Sequence, residues 1–253
     1  MKDLFSNHSQ LYQQARPSYP QEIVLEVLKH VPDKGFAWDC GAGSGQLTQL
    51  LAPYFDHIVA TDISPTQLQN APYLENVSYQ IQAAEKTNFI QQSFDLICVA
   101  QAIHWFDFKK FYQEVQRTLK PEGIFAVIGY GLIDVEHAAI NTLIHQLYTE
   151  TLHSYWDAER RYIDELYQTI PFPFDEIAVP EFKMQYQWSS AQLLKYLSTW
   201  SAVKHYHQKN QDEPLLALAE HLQQYEQVFL VEFPIFLRIG KLKAIKQKGF
   251  MKK

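Results

Sequence analysis

The stretch Trp38-Asp39-Cys40-Gly41-Ala42-Gly43-Ser44-Gly45 decides the fold of this 253-residue chain. An apolar run, Gly35-Phe36-Ala37-Trp38, leads into it, and the amphipathic pattern Leu47, Leu50, Leu51, Tyr54 follows at once. Strand, glycine turn, helix is how an α/β domain holds a nucleoside cofactor at the edge of its sheet. Glycine suits such a turn because it bends without a Cβ penalty and lets a ligand approach the backbone. The next apolar run, His57-Ile58-Val59-Ala60-Thr61, ends at Asp62, 21 positions after Gly41. That is the place for a carboxylate that accepts hydrogen bonds from ribose hydroxyls, or else for a cap on the helix that Ser64-Pro65 starts.

Working outward, strand-like and helical runs alternate from Gln21 to Gly131. Strands are expected at 36–40, 57–61, 77–82, 94–100 and 123–130, and helices at 21–31, 45–54, 64–70 and 108–119. Connections of this length join parallel strands by right-handed crossovers. The runs 94–100 and 124–128 are apolar at nearly every position, as in strands covered by helices on both faces. Beyond Gly131 the texture changes. Residues 134–168 are polar-aromatic and helical in pattern, without a strand signal, and Pro171, Pro173 and Pro180 punctuate a connector. A strand over Phe182–Trp188, helices near 190–206 and 213–226, and a last strand over Val228–Arg238 are then expected. Ser189 or Ser190 suits the cap of the first of those helices. Two late strands imply an antiparallel extension of the sheet, with inserted helices over its ligand-binding edge. The expected division is 1–133 for the cofactor-binding core, 134–180 for a helical cap and connector, and 181–253 for the strands and helices that complete the same domain.

An apolar content of 47% is enough for one sizeable core, and 20% charge is too little for a disordered chain. The net charge of −6 argues against a nucleic-acid partner. Lys241, Lys243, Lys246, Lys248, Lys252 and Lys253 are expected on a solvated tail. Met1 to His8 lacks an apolar signal region, and Val228 to Leu237 is interrupted by Glu232 and Pro234 and too short to span a bilayer. A cytoplasmic protein with no membrane partner is therefore expected. Cys40 and Cys98 are expected as buried, reduced thiols. The ten histidines are scattered, so no metal site is expected.

Three features address which nucleoside is held. A dinucleotide fingerprint requires Gly-x-Gly-x-x-Gly, but here the third glycine comes one position early, at Gly45, and Gln46 takes its place. Asp39 ahead of the glycines suits a cofactor with an amino group, and S-adenosylmethionine (SAM) has an ammonium and no pyrophosphate. Ala83-Ala84-Glu85 follows the third strand, where backbone groups can read an adenine. The fourth strand leads into Gln101-Ala102-Ile103-His104-Trp105-Phe106, and a helix then leads to Leu119-Lys120-Pro121-Glu122-Gly123.

On the glycine loop with Asp39, on Asp62, Ala84-Glu85, His104-Trp105 and the Leu-Lys-Pro-x-Gly turn, the chain resembles class I SAM-dependent methyltransferases. More narrowly it resembles the small-molecule group of the methyltransferase domain 11 type, which includes trans-aconitate methyltransferase-like proteins. Tyr12-Gln13-Gln14-Ala15-Arg16-Pro17-Ser18-Tyr19-Pro20 is similar to the segment such proteins place before the first helix. Glu122 stands where the family's turn has glycine. The resemblance is firm over 12–130 and weaker over 180–240. It implies an α/β fold with a doubly wound, mostly parallel, seven-stranded Rossmann-like sheet, an antiparallel last strand and a helical cap. It implies SAM binding by Arg16, Asp39, Gly41, Ala42, Gly43, Gly45, Asp62, Ile63, Ala84, Glu85 and Gln101, with S-adenosylhomocysteine as product. Arg16 would grip the SAM carboxylate with two parallel hydrogen bonds, or else form a surface ion pair. Tyr12 and Tyr19 would lie over the cofactor or pack the helix.

His104 is open to three roles: general base, substrate hydrogen-bond donor, or satisfied polar group. Trp105 either faces the sulfonium, walls the substrate pocket or packs in the core. Tyr148, Tyr155, Trp156, Tyr162, Tyr167, Phe172, Trp200 and Tyr206 suggest an apolar lid, or an ordinary helical core. Arg160 and Arg161 either hold an anionic substrate or are solvated. The expected activity is in-line methyl transfer to a small molecule, with a small carboxylic acid as one acceptor that the resemblance suggests, by a monomer or homodimer. The alternatives are a non-catalytic SAM-binding regulator and an NAD-dependent oxidoreductase, the latter disfavoured by Gln46.

Overall fold

The computed structural model describes residues 16–225 and 227–243. Within it the alternating runs become β1 (Phe36–Cys40), β2 (His57–Asp62), β3 (Val77–Ile81), β4 (Phe94–Ala100) and β5 (Leu119–Tyr130). All four pairings among them are parallel, in the order β3-β2-β1-β4-β5. The connecting helices are α1 (Gln21–Leu28), before β1, then α2 (Gln46–Leu51), α3 (Pro65–Gln69) and α4 (Phe108–Thr118). The chain order reverses between β1 and β4, which opens a crevice at the carboxyl ends of those strands.

Alternation of side chains along β1 and β4 feeds two cores, one on each face. Ile23, Val24 and Val27 of α1 and Leu47 and Leu51 of α2 pack with Ala37, Leu96 and Cys98. On the opposite face Phe111, Tyr112 and Val115 of α4 pack with Trp38, Ile97 and Phe125. The α4 stripe recurs at helical spacing, and each fully buried large side chain in it is worth roughly 1.5–3 kcal/mol. Asp107 caps α4 by accepting from Lys110 N at 3.2 Å. Cys40 and Cys98 are free and buried.

The C-terminal half adds β6 (Asp134–Val135), α5 (Ala138–Gln146), a π-helical turn (Leu147–Thr151), α6 (Arg161–Asp164), β7 (Asp175–Ile177) and β8 (Phe182–Trp188). It ends with α7 (Ser190–Leu197), α8 (Ser201–Asn210), α9 (Leu216–Leu222) and β9 (Phe229–Lys241). β9 lies antiparallel to β5, from Ile124↔Lys241 to Tyr130↔Ile235. β6 continues along the same flank at Asp134↔Glu232 and Val135↔Val231, so the opposite flank takes β8, with Gln185↔Glu232, and β7, with Ile177↔Ile239. Among the described residues nine strands thus fill seven places across the sheet.

The expected seven-stranded, mostly parallel sheet with an antiparallel end is therefore present. Four local expectations are corrected. Residues 134–168 do contain a strand, β6, too short to show a period. The Leu119–Gly123 turn is already part of β5. The helix expected over 190–206 is two helices, because the Thr199 hydroxyl donates to Tyr196 O at 2.6 Å and Trp200 turns into the core. Lys241 is the last residue of β9 and not part of a tail. Lys246, Lys248, Lys252, Lys253, Tyr12 and the Met1–His8 segment lie outside the described residues. Among the described residues, no helix is long and apolar enough to cross a membrane, and no three of His, Cys, Asp and Glu gather where a metal would be held.

Candidate active site

The glycine loop is anchored to the end of β2 by backbone and by one side chain. Gly41 N and Ala42 N both donate to Thr61 O, at 2.8 and 2.9 Å, tying the end of β1 to the end of β2. Asp62 completes the junction: its Oδ2 accepts from Gly43 N and its Oδ1 from Ser64 N, each at 2.9 Å. Ser64, not Asp62, caps α3. The three loop glycines all have positive φ, yet they do different work. A Cβ on Gly41 would meet Ala102 Cβ at 2.6 Å, and one on Gly45 would meet the Tyr79 hydroxyl at 3.1 Å. A Cβ on Gly43 would find only Gln67 Oε1, at 3.9 Å. Gly41 and Gly45 serve packing, while Gly43 leaves backbone open to a ligand.

Asp39 is buried at the end of β1. Its Oδ2 accepts from Thr48 Oγ1 at 2.5 Å, and its Oδ1 is buried without a partner. Burial pushes its carboxyl up to about 7, against the Thr48 hydrogen bond, and the Asp62 charge adds to the rise. An orphaned buried acceptor costs roughly 1–3 kcal/mol, so a cationic donor arriving there gains more than it would on the surface. The Asp39 and Asp62 carboxylates are acceptors and therefore fit an ammonium and a pair of hydroxyls.

Basic and aromatic residues complete the lining. Arg16 Nη1 donates to the Tyr130 hydroxyl at 2.9 Å, and the guanidinium lies 5.6 Å from the Tyr196 ring centre. His104 is buried, with Nδ1 paired to the Tyr167 hydroxyl at 2.6 Å. Burial, reinforced by the Arg160 and Arg16 charges, pushes His104 down to about 3, so the ring is uncharged near neutrality. Tyr167 comes from a turn in which both Leu166 and Tyr167 have positive φ, at 52° and 58°. Arg238 on β9 holds that turn, donating from Nη1 to Tyr167 O at 3.0 Å and to Ile170 O at 2.9 Å, while its other nitrogens grip Glu176. Gln101, also at positive φ, braces β5 through Tyr130 O at 3.1 Å.

The cap closes the cavity with Trp156, Asp157, Arg160, Ile163, Trp200 and Ser201. Arg160 lies between two rings, 5.3 Å from the Tyr148 centre and 4.9 Å from that of Trp156. The aromatic residues expected as a lid divide in two. Trp156 and Trp200 line the cavity, whereas Phe172 stacks on Phe125 in the core and Tyr155 pairs with Tyr206. Arg161 is exposed and stacks on Tyr162.

Of the residues expected around the cofactor, Arg16, Asp39, Gly41, Ala42, Gly43, Asp62, Ile63 and Gln101 line this one cavity, with His104 and Trp105. Gly45, Ala84 and Glu85 are not among its lining residues. Ala84 is buried in the α4-side core, and Glu85 Oε1 accepts from Asp107 N at 3.1 Å, at the cap of α4. Tyr130, Gln67 and Asp157 line the cavity although nothing in their sequence context marks them. Tyr130 and Asp157 reach it from a strand end and a cap turn, for which no motif spacing exists.

The sequence profile described as "Methyltransferase domain" matches residues 38–127, from β1 into β5. A protein of Dictyostelium discoideum named as a methyltransferase is 32% identical over 249 residues, covering 94% of this chain and 95% of its own length. A Saccharomyces cerevisiae protein named as a SAM-dependent methyltransferase is 31% identical over 127 residues, 46% of this chain and 43% of its own. A solved structure from Anaeromyxobacter dehalogenans, described as a type II methyltransferase, superposes with a TM-score of 0.82 at 34% identity. It covers 89% of this chain and 97% of that one. The chain belongs to the class I SAM-dependent methyltransferases of this domain family. It is an enzyme, and SAM is its methyl donor.

Proposed function

We propose that the enzyme methylates a carboxylate of a small molecule that enters the cavity between the strand ends and the cap. The observation that carries this reading is the charge set of one cavity: Asp39, Asp62 and Arg16 line it together with a second guanidinium, that of Arg160. A donor with an ammonium, a ribose and a carboxylate accounts for Asp39, Asp62 and Arg16. Arg160 is left for the acceptor.

When bound, SAM supplies an activated methyl group, whose transfer to an acceptor oxygen returns the sulfur–carbon bonding pair to sulfur. The chain's residues align and desolvate the partners. Asp39 Oδ1 accepts from the ammonium. Asp62, fixed by Gly43 N and Ser64 N, presents its remaining lone pairs to the ribose hydroxyls. Arg16, steadied by Tyr130, pairs with the donor's carboxylate. Trp105, Trp156 and Trp200 exclude water. Holding two reactants in register accounts for roughly 7–11 kcal/mol of the barrier in such reactions. A uncharged His104 flanked by two guanidiniums is a poor base, so it positions rather than removes a proton. A carboxylate arrives already deprotonated and needs no base. Net charge −6 agrees with a metabolite and not a nucleic acid as acceptor, in a cytoplasmic monomer or homodimer.

The test is calorimetry with SAM, S-adenosylhomocysteine and NAD, followed by labelled-methyl transfer over pools of small acids. SAM and its product bind, NAD does not, and label appears as base-labile methyl ester. Label only in base-stable products would overturn the carboxylate reading.

A further inference from the structure

The cap turn carries two opposite charges that do not meet. Asp157 precedes the single helical turn Ala158–Arg160, and its carbonyl accepts from Arg160 N at 2.9 Å. Side chains three apart on such a turn are neighbours and ordinarily pair. Here Arg160 is drawn away: its Nε donates to the Tyr148 hydroxyl at 2.8 Å and lies 3.5 Å from Asp164, and two aromatic faces hold the guanidinium. Among the described residues its two Nη groups have no bonding partner. Asp157 Oδ2 is buried and likewise has none. Both residues line the same cavity as Asp39 and Asp62.

A guanidinium with open Nη groups takes an oxyanion, and a buried carboxylate oxygen without a partner takes a hydrogen-bond donor. Leaving both open in the free enzyme is costly, and a ligand that satisfies both removes the cost at once. We propose that Arg160 and Asp157 together read an acceptor that bears a carboxylate and, beside it, a hydrogen-bond donor: a small hydroxy acid or amino acid. The proposal rests on the acceptor reading above and names its substrate class. Arg160 holds one carboxylate oxygen, Asp157 accepts from the neighbouring hydroxyl or ammonium, and the second carboxylate oxygen is left for the methyl group.

Two matched series test it: butanoate and 3-phenylpropanoate, each unsubstituted, 2-hydroxylated and 2-aminated. Each acid is titrated by calorimetry into enzyme saturated with S-adenosylhomocysteine, and rates are read with labelled SAM. In at least one series a substituted acid binds at least about tenfold tighter than its parent. Asp157→Ala erases that advantage and leaves the parent acid's affinity unchanged. Asp157→Asn, which keeps an acceptor oxygen but no charge, lowers the ammonium advantage more than the hydroxyl advantage. Arg160→Gln weakens every acid by about tenfold or more, while SAM affinity is unchanged in all three variants. A merely structural Asp157 would weaken all acids alike, and that parallel loss would overturn the proposal. So would equal affinity within both series, or no binding by any acid to an enzyme that binds SAM. Failure of the wild type to bind SAM would instead overturn the donor reading.

Discussion

The two sides of the cavity are built differently. Apart from Arg16, the lining assigned to the donor comes from one continuous stretch, residues 39–67, and much of its chemistry is backbone: Gly41 N, Ala42 N and Gly43 N are each held in place by the β2 end. The lining proposed for the acceptor is assembled from residues 101–105, 130, 156–163 and 200–201. Backbone geometry requires particular residue types at particular spacings, so it shows in a sequence. A wall of side chains from four places obeys no spacing. The lining proposed for the donor is therefore legible in the sequence, whereas the rest of the cavity is not.

This contrast is open to attack at both sides. The largest effect is expected within the loop. Gly41→Ala adds a Cβ 2.6 Å from Ala102 and forces an L side chain to φ +71°, costing about 3 kcal/mol of stability in chemical denaturation. Gly43→Ala has room for its Cβ and costs only about 1–2 kcal/mol through its positive φ, yet it weakens SAM binding by calorimetry. Equal stability losses would erase the division of labour between the two glycines. On the cap side, Arg160→Ala lowers kcat/KM for the acceptor by about 100-fold, roughly 2.7 kcal/mol, and leaves the SAM Kd unchanged. A fall in SAM affinity of the same size would show that the two sides are not separate.

Asp39 links the donor side to pH. Burial pushes its carboxyl up to about 7 in the folded protein, above the ordinary 3.8. The folded state thus holds a proton that the unfolded chain has already lost. The stability this contributes is complete below pH 3.8 and is lost as pH rises through about 7. Pairing with the SAM ammonium requires the ionised form, so SAM affinity falls by up to about tenfold per unit as pH drops below that point. Asp39→Asn flattens both profiles, and a wild-type affinity independent of pH would remove Asp39 from the ammonium site. The smallest effect is expected far from either side. Ser189 and Gln192 form a capping box on α7, and Ser189→Ala costs about 1 kcal/mol in denaturation without changing SAM affinity.

The same contrast explains which elements are legible in the sequence. β1, β4 and β8 have the bounds expected from their apolar runs, because period and burial agree in them. β6 and β7 hold two and three residues, too few to display a period, and exist only because β9 is long enough to pair beyond β5 and β8. Asp39, Asp62 and the glycines were recognisable from spacing. The Tyr167–His104 contact was not, since it depends on Arg238 holding a turn with two successive positive-φ residues. Glu85 shows the opposite failure: a motif position whose carboxylate is used by the α4 cap.

We hold that the β1 and β2 ends, through Asp39, Gly43 and Asp62, bind the methyl donor. Calorimetric titration of SAM into wild type and Asp62→Ala tests it most directly, with thermal melts confirming that both are folded. Tight SAM binding by the wild type, no detectable NAD binding, and a loss of about 100-fold or more in Asp62→Ala are expected. Undiminished SAM affinity in a folded Asp62→Ala protein would contradict it.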